Sequence, residues 1–503
     1  MTRLLCLLML GIPACPMLAG LAAGRLRPAQ AARTALLAAA AAFALSVALA
    51  AALAFHADAA VFMLRLDPLA AVMTLLVSYL GLVVVRYSGP YMAGDARRPR
   101  FFAWLNLSLA SVLTLVLAAN LALILAAWIA TSLCLHRLLL HYPERPGAVF
   151  AARKKFVVSR LGDACLLAAL IVLERHYGTA DLAALFAAAG RGDTGPLPFA
   201  GLLIVACAAL KSAQFPFHSW LPDTMETPTP VSAFMHAGII NAGGFLVIRL
   251  SPLLVHAPGA LGLIALTGAA TAGFGAVAML ATPTVKRALA FSTIAQMGFM
   301  LLQCGLGAFS AAVLHIVAHS LYKAHAFLHS GSTVGAVPRA AVALRTQAIA
   351  AGVFAGAILA AAGFAVLHAP SPETGSPRFI FALVLALALA YGLSRAWSAG
   401  VGRSRGLGAL AVACGVVAAS VVLQLGAQAL FRDLPSFRAG AVPCTAAGLL
   451  FVLLFLFQCV LWRAGRHRWG RQLYVHAMNG FYVGTLANRL LARLWPSQKT
   501  LSP

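Results

Sequence analysis

About fifteen long apolar runs, most of them close to twenty residues, constrain this chain more than any motif it carries. They fall near residues 3–23, 34–54, 66–86, 103–119, 121–140, 156–174, 197–215, 229–249, 259–281, 287–306, 309–328, 346–368, 377–397, 406–430 and 444–462. A helix of roughly twenty residues crosses a hydrocarbon layer about 30 Å thick. In lipid, only helices and closed barrels satisfy every backbone hydrogen bond. Continuous rather than alternating apolar runs select the helix, so the expected fold is an all-α, polytopic membrane helix bundle of about fifteen transmembrane helices. Composition agrees, with 62% hydrophobic and 10% charged residues against roughly 45–50% apolar in soluble domains. The mean hydropathy is +0.91. The bilayer replaces a soluble core, and residues 1–503 read as a single membrane domain. The first run starts like a secretory leader, but it continues for about twenty residues through Pro13 and Pro16 and is followed by Arg25 and Arg27, which suits a first span.

The formal charge of +25 raises the question of nucleic acid. Nucleic-acid binders gather Lys and Arg on a folded face with aromatics between them. Here the basic residues stand in short connections between apolar runs, so no nucleic-acid partner is expected. They concentrate in alternate connections, for example Arg97, Arg98 and Arg100; Arg145, Arg153, Lys154 and Lys155; Lys286 and Arg287; Arg339 and Arg345; Arg463, Arg466, Arg468 and Arg471. The positive-inside rule then places the N-terminus outside and the C-terminus in the cytoplasm, which an odd number of spans requires. Some of the excess charge faces anionic membrane lipid. Residues 463–503 read as a cytoplasmic amphipathic tail. The nine cysteines are scattered without a CxxC pair and read as small buried hydrophobes, predicting neither disulfides nor a metal site.

Against this hydrocarbon background, residues 211–241 stand out: KSAQFPFHSWLPDTMETPTPVSAFMHAGIIN. A charge at mid-bilayer costs roughly 2.5–3.5 kcal/mol on insertion scales, so ionisable groups there indicate function. Lys211 lies deep in its run. Pro216 follows five residues later and should break the helix near it, because proline removes a donor and clashes with the carbonyl four residues back. Broken helices expose backbone carbonyls and admit water, as transporter ion sites require. His218 stands beyond the break. His236 lies in the next span with Asn241, Gly238, Gly243 and Gly244, where the imidazole can relay protons and the glycines permit close packing.

A second cluster is HIVAHSLYKAHAFLHSGS. His315, His319 and Lys323 recur every four residues on one helical stripe, with His325 and His329 expected on its flank. Two histidines four apart suit zinc, but no third ligand and no HExxH glutamate accompany them, so no metal is expected in this chain. A hydrated proton path explains the stripe better.

These motifs, together with KRALAFSTIAQMGFM, RFFAWLNL and the RLGD of Arg160–Asp163, resemble in order the proton-translocating, antiporter-like membrane subunits of respiratory complex I and Mrp-type antiporters. The resemblance covers roughly residues 60–335 and implies an antiporter-like core there. Two departures stand out. Energy-coupled members carry a glutamate directly after a tryptophan in the fifth span, paired with the lysine matched here by Lys211; this chain has Ile129 there, leaving Asp163 as the substitute counter-ion. The distal lysine is also not evident, since spans 346–397 offer only Arg395. Within the family, HAGIINAGGFLVIRLSPLL, ATSLCLHRLLL and LYVHAMNGFYVG look like the membrane subunits of inorganic-carbon accumulation systems. That resemblance implies a bacterial inner-membrane protein conducting protons beside a large cytoplasmic zinc-binding partner resembling a β-type carbonic anhydrase. The zinc would belong to the partner, and no enzymatic site is expected in this chain. The alternatives are a pumping subunit of a complex I or Mrp-type assembly, and a passive membrane anchor.

Overall fold

The computed structural model describes residues 2–55, 59–333, 343–367, 377–399, 403–464 and 467–495. Arg339, Arg466 and the end of the tail lie outside the described residues. Helices α1 (Thr2–Ala23) and α2 (Pro28–Phe55) lead to a hairpin of β1 (Ala59–Val61) and β2 (Leu64–Leu66), paired antiparallel with Ala59 opposite Leu66. The hairpin is a small departure from the all-α expectation. There follow α3 (Pro68–Tyr91), α4 (Arg98–Leu117), α5 (Leu121–Leu139), α6 (Pro146–Tyr177), the short α7 (Leu182–Gly190) and α8 (Leu197–Lys211). Next come α9 (Trp220–Asp223), α10 (Thr229–Ala237), α11 (Ala242–Arg249), α12 (Ser251–Leu254), α13 (Pro258–Ala281), α14 (Val285–Gly305) and α15 (Phe309–Leu328). The chain continues with α16 (Thr346–Leu367), α17 (Pro377–Ser398), α18 (Arg403–Leu430), α19 (Ala441–Ala464), α20 (Arg468–Met478) and α21 (Val483–Leu494).

Among the described residues, 13 helices are long and apolar enough to cross a membrane, with 229–249 taken as one span. The two remaining runs read from sequence are α8, which is short at 15 residues, and α15, whose histidines and lysine interrupt its apolar surface. Together they account for the expected fifteen. Local chemistry sets the ends. Asp67 caps α3 by accepting from Ala70 N at 2.7 Å, Asn120 caps α5 through Ala122 N at 2.8 Å, and Asp181 caps α7. Gly178, at φ 68°, closes α6 in the left-handed conformation that glycine adopts without a Cβ clash.

The span 229–249 is the axis of the bundle: 94% of its most apolar window is buried, against 11% for the span within α18. Burial on every side explains how the axis can carry His236 and Asn241, whose polar groups meet protein rather than lipid. Close helix approach is built from small residues: a Cβ at Gly268 of α13 would fall 2.6 Å from the carbonyl oxygen of Gly298 in α14. Near the hairpin, a buried ion pair between Asp67 and Arg249 ties the start of α3 to the end of α11, and Arg65 joins it at 2.9 Å.

The tail helices fold back against the bundle. Phe481 packs on Phe274 of α13 with ring centroids 5.8 Å apart. Trp495 sits 5.1 Å from the Arg153 guanidinium and 6.2 Å from the Phe156 ring. The tail therefore lies across one end of α6 and α13.

Candidate functional site

The break at the lysine forms one turn earlier than the proline itself. α8 ends at Lys211, Ala213 takes φ 50°, and the Phe215–Pro216 peptide is cis. Backbone groups released by the break are met locally: Phe215 N donates to Thr271 Oγ1 at 3.0 Å, and Ser212 Oγ donates to the Ile240 carbonyl at 2.8 Å. A second break, not anticipated from sequence, separates α10 from α11 at Gly238 and opens the 3-10 turn Ile239–Asn241. The two breaks abut, because a Cβ at Gly243 would collide with Ser212 and the Ala208 carbonyl.

Lys211 is buried at 8% exposure. Its ammonium stands 4.6 Å from the Trp128 ring centroid and has no protein hydrogen-bond acceptor. Lys211, Lys155 and Arg160 act electrostatically on Asp163, which is ion-paired with Arg160 at 2.6 Å. The expected juxtaposition of Asp163 and Lys211 is thus present, with Arg160 as a further partner. At Gly162 α6 packs against α8, with Leu210 Cβ 3.6 Å and the Cys207 carbonyl 3.7 Å from where a Cβ would stand, ordinary contact distances.

The histidines form a second, connected group. His236 Nδ1 lies 3.0 Å from Thr293 Oγ1. That hydroxyl already donates its single hydrogen to the Leu289 carbonyl at 3.0 Å, so the imidazole Nδ1–H donates and Nε2 is left a bare acceptor. The same Leu289 carbonyl accepts from Lys323 Nζ at 3.1 Å. His315 Nδ1 lies 2.8 Å from Gln303 Oε1, an acceptor, which again leaves Nε2 bare. The His319 ring stands 6.0 Å from that of His315. Nε2 of His236, His315 and His319 are all buried without a protein partner. Asn241 Nδ2 donates to Ser320 Oγ at 2.9 Å, linking α10–α11 to α15 beside these rings.

Other expected residues separate from this group. His218 is buried against Phe274, ring centroids 4.3 Å apart, next to the break and beneath the tail. His325 and His329 stack on each other at 5.4 Å but are exposed, so they do not join the buried stripe. The reason is helical geometry: two residues beyond Lys323, His325 points some 200° away from it. Arg395 is exposed, next to Tyr391.

Two lysines read from sequence as topology signals are instead buried. α6 begins at Pro146, so Lys154 and Lys155 lie inside the helix at 4% and 2% exposure. Lys154 Nζ pairs with Asp223 at 2.5 Å. Lys155 Nζ donates to the Ser132 carbonyl at 2.7 Å and Ser132 Oγ at 2.8 Å. The available signal was Pro146, which starts a helix well before the apolar run. Among the described residues, no group of three or more His, Cys, Asp or Glu is placed to hold a metal ion.

Comparison with known proteins bears on this arrangement. The family described as "NADH:quinone oxidoreductase/Mrp antiporter, TM" matches residues 118–365, and the complex I chain 5 N-terminal family matches residues 56–102. A probable inorganic carbon transporter subunit, DabB2, of Halothiobacillus neapolitanus is 37% identical over 88% of this chain and 82% of its own length. The chain belongs to this family of antiporter-like membrane subunits. A second family member, the probable inorganic carbon transporter subunit DabB of Hydrogenovibrio crunogenus, is 35% identical over 86% of this chain and 83% of its own length. NADH-quinone oxidoreductase subunit L of Mycobacterium tuberculosis is 40% identical over 55% of this chain and 44% of its own. Among solved structures, the Mrp complex from Dietzia sp. contains a chain with TM-score 0.67 and 26% identity, matching 97% of this chain. This chain spans 59% of the length of that Mrp chain. The protein is accordingly a multi-pass membrane subunit of antiporter-like fold.

Proposed function

We propose that the chain is the proton-conducting membrane subunit of an energy-coupled inorganic carbon uptake complex in a bacterial inner membrane. The observation that carries this reading is the buried series of Lys211, His236, His319 and His315, each with a nitrogen free of any protein partner. The names of the two relatives matched over most of their length supply the carbon. Buried polar atoms without a protein partner are satisfied by water, and water joined to bare imidazole nitrogens carries protons. The path runs through His315 and His319 along α15, with the Thr293–Leu289–Lys323 network beside them, and joins Lys211 through Ser320, Asn241 and the two helix breaks. Asp163 is the carboxylate that Lys211 and Arg160 share. His218, beside the break, and the exposed pair His325 and His329 mark its opening on the cytoplasmic side, the side the basic connections assign to the C-terminus.

The proton gradient drives chemistry in a cytoplasmic zinc partner of β-carbonic-anhydrase type, to which the zinc and the catalytic groups belong. A potential of 100 mV is worth about 2.3 kcal/mol per charge, enough to bias a near-balanced hydration by more than tenfold. The test is growth at ambient carbon dioxide of cells that depend on this complex. Lys211→Ala and His315→Ala, each with both proteins present in the membrane, are expected to abolish growth without supplied carbon dioxide; normal growth of either would sink the reading.

A second reading, a pumping subunit of a complex I or Mrp-type assembly, is favoured by the similarity to the Dietzia Mrp chain. Co-purification separates the two: a large zinc-containing soluble protein supports carbon uptake, and a set of further membrane subunits supports the alternative.

A further inference from the structure

The seam between α5, α6 and α8 holds more positive than negative charge. Lys155, Arg160 and Lys211 face a single carboxylate, Asp163, and Arg160 already pairs with it at 2.6 Å. Lys154, the next cation along α6, has its own partner in Asp223 at 2.5 Å and does not draw on Asp163. The two lysines are close along α5: Lys211 stands over Trp128 and Lys155 is bonded to Ser132, residues one helical turn, about 6 Å, apart. An ammonium has three donors. Lys155 places two of them on Ser132, Lys211 places none on protein, and Nε of Arg160 is also unpartnered and buried. Lys211 is 92% buried by its 8% exposure. Cations removed from water need compensation by opposite charge or hydrogen-bond acceptors, and among the described residues the seam supplies one carboxylate for two buried ammoniums and the Arg160 guanidinium, whose side chain is 32% exposed.

We propose that this seam binds a small monovalent oxyanion between Lys211, Lys155 and Arg160. Bicarbonate is the anion that the proposed function would supply, and to that extent the identity of the ligand rests on that reading. A planar oxyanion has enough acceptor lone pairs for the spare donors of both ammoniums and the guanidinium, and its charge balances the seam beside Asp163. The Trp128 face closes one wall, and Ser132 fixes Lys155 so that its remaining donor is pre-oriented.

The experiment uses the full-length chain in nanodiscs and measures saturation binding of [14C]bicarbonate, with nitrate as an unreactive competitor of the same shape. The expected result is saturable binding displaced by nitrate, weakened about tenfold or more by Lys211→Gln and by Lys155→Gln, each of which removes a charged hydrogen-bond donor. Asp163→Asn removes the competing carboxylate and should tighten binding. That opposite sign keeps the test informative should a lysine variant fold poorly. Absence of saturable binding, or binding unchanged across the variants, overturns the proposal. Nitrate displacement requires neither proton flux nor growth, so loss of the anion site with flux intact leaves the proposed function standing, and binding without flux does the reverse.

Discussion

The helices α3–α15 and the helices α16–α19 are built from the same apolar alphabet and lie in the same bundle, yet they treat polar atoms oppositely. In α3–α15 the buried side chains include Lys154, Lys155, Lys211, His236, His319 and Lys323, and many polar atoms have no protein partner. In α16–α19, among the described residues, no buried side-chain nitrogen or oxygen is left unpartnered, and the buried polar residues Ser394 and Ser398 are small. Ser394 resolves its hydroxyl within its own helix, donating to the Ala390 carbonyl at 2.6 Å. A helix that only has to fill the bilayer disposes of its polar groups locally. One that conducts must leave them available to something other than protein. The proposed path accordingly runs through the first region, with α16–α19 proposed as packing elements beside it.

The sharpest way to break this contrast is to remove a bare nitrogen from the first region. His319→Leu keeps the volume of the site and deletes the imidazole beside His315; proton flux in liposomes is expected to fall to the lipid background while the protein remains folded by thermal melt. A structural charge in the same region should fail differently. Asp67→Ala strands Arg249, itself 5% exposed, and breaking a buried pair in this way costs about 3–5 kcal/mol. The expected outcome is a large drop in melting temperature, with flux per folded molecule retained.

A smaller, pH-dependent effect is expected in the connection between α3 and α4, outside the spans. Burial would raise the Asp95 carboxyl, but hydrogen bonds from His141, the Arg97 backbone and Tyr142 outweigh it and hold Asp95 below its ordinary value. A carboxylate lowered in the folded state stabilises above its unfolded value near 3.9 and loses that contribution as pH falls through the folded value. Asp95→Asn should therefore lower stability at pH 6 and make little difference near pH 2, as read by melts across that range. In the second region Arg395→Gln should change neither flux nor melting temperature measurably, because its side chain is exposed and lies beside Tyr391; a loss of flux there would extend the path and erase the contrast.

Much of this is legible in the sequence. The spans follow from run length, because hydrocarbon thickness sets it, and Pro216 announced the break beside Lys211. The stripe His315–His319–Lys323 follows from a four-residue period. The misses have physical causes as well. Lys154 and Lys155 adjoin Arg153 and looked like a cytoplasmic loop, yet Pro146 begins α6 early enough to carry both into the bundle. The break at Gly238 was hidden because glycine serves close packing and helix interruption equally well. The hairpin at β1–β2 is too short and too apolar to show a two-residue alternation. His325 and His329 are expected on the flank of the stripe, but the helical repeat turns them outward to exposed positions.

The central claim is that Lys211 belongs to a conducting path and not to an inert anchor. The most direct test is pH-gradient dissipation by the purified complex in liposomes, comparing the unaltered chain with Lys211→Met under an imposed potential. The account predicts potential-driven proton flux in the unaltered complex and none above lipid background in the variant, with equal incorporation and equal thermal stability. Equal flux in both would contradict it.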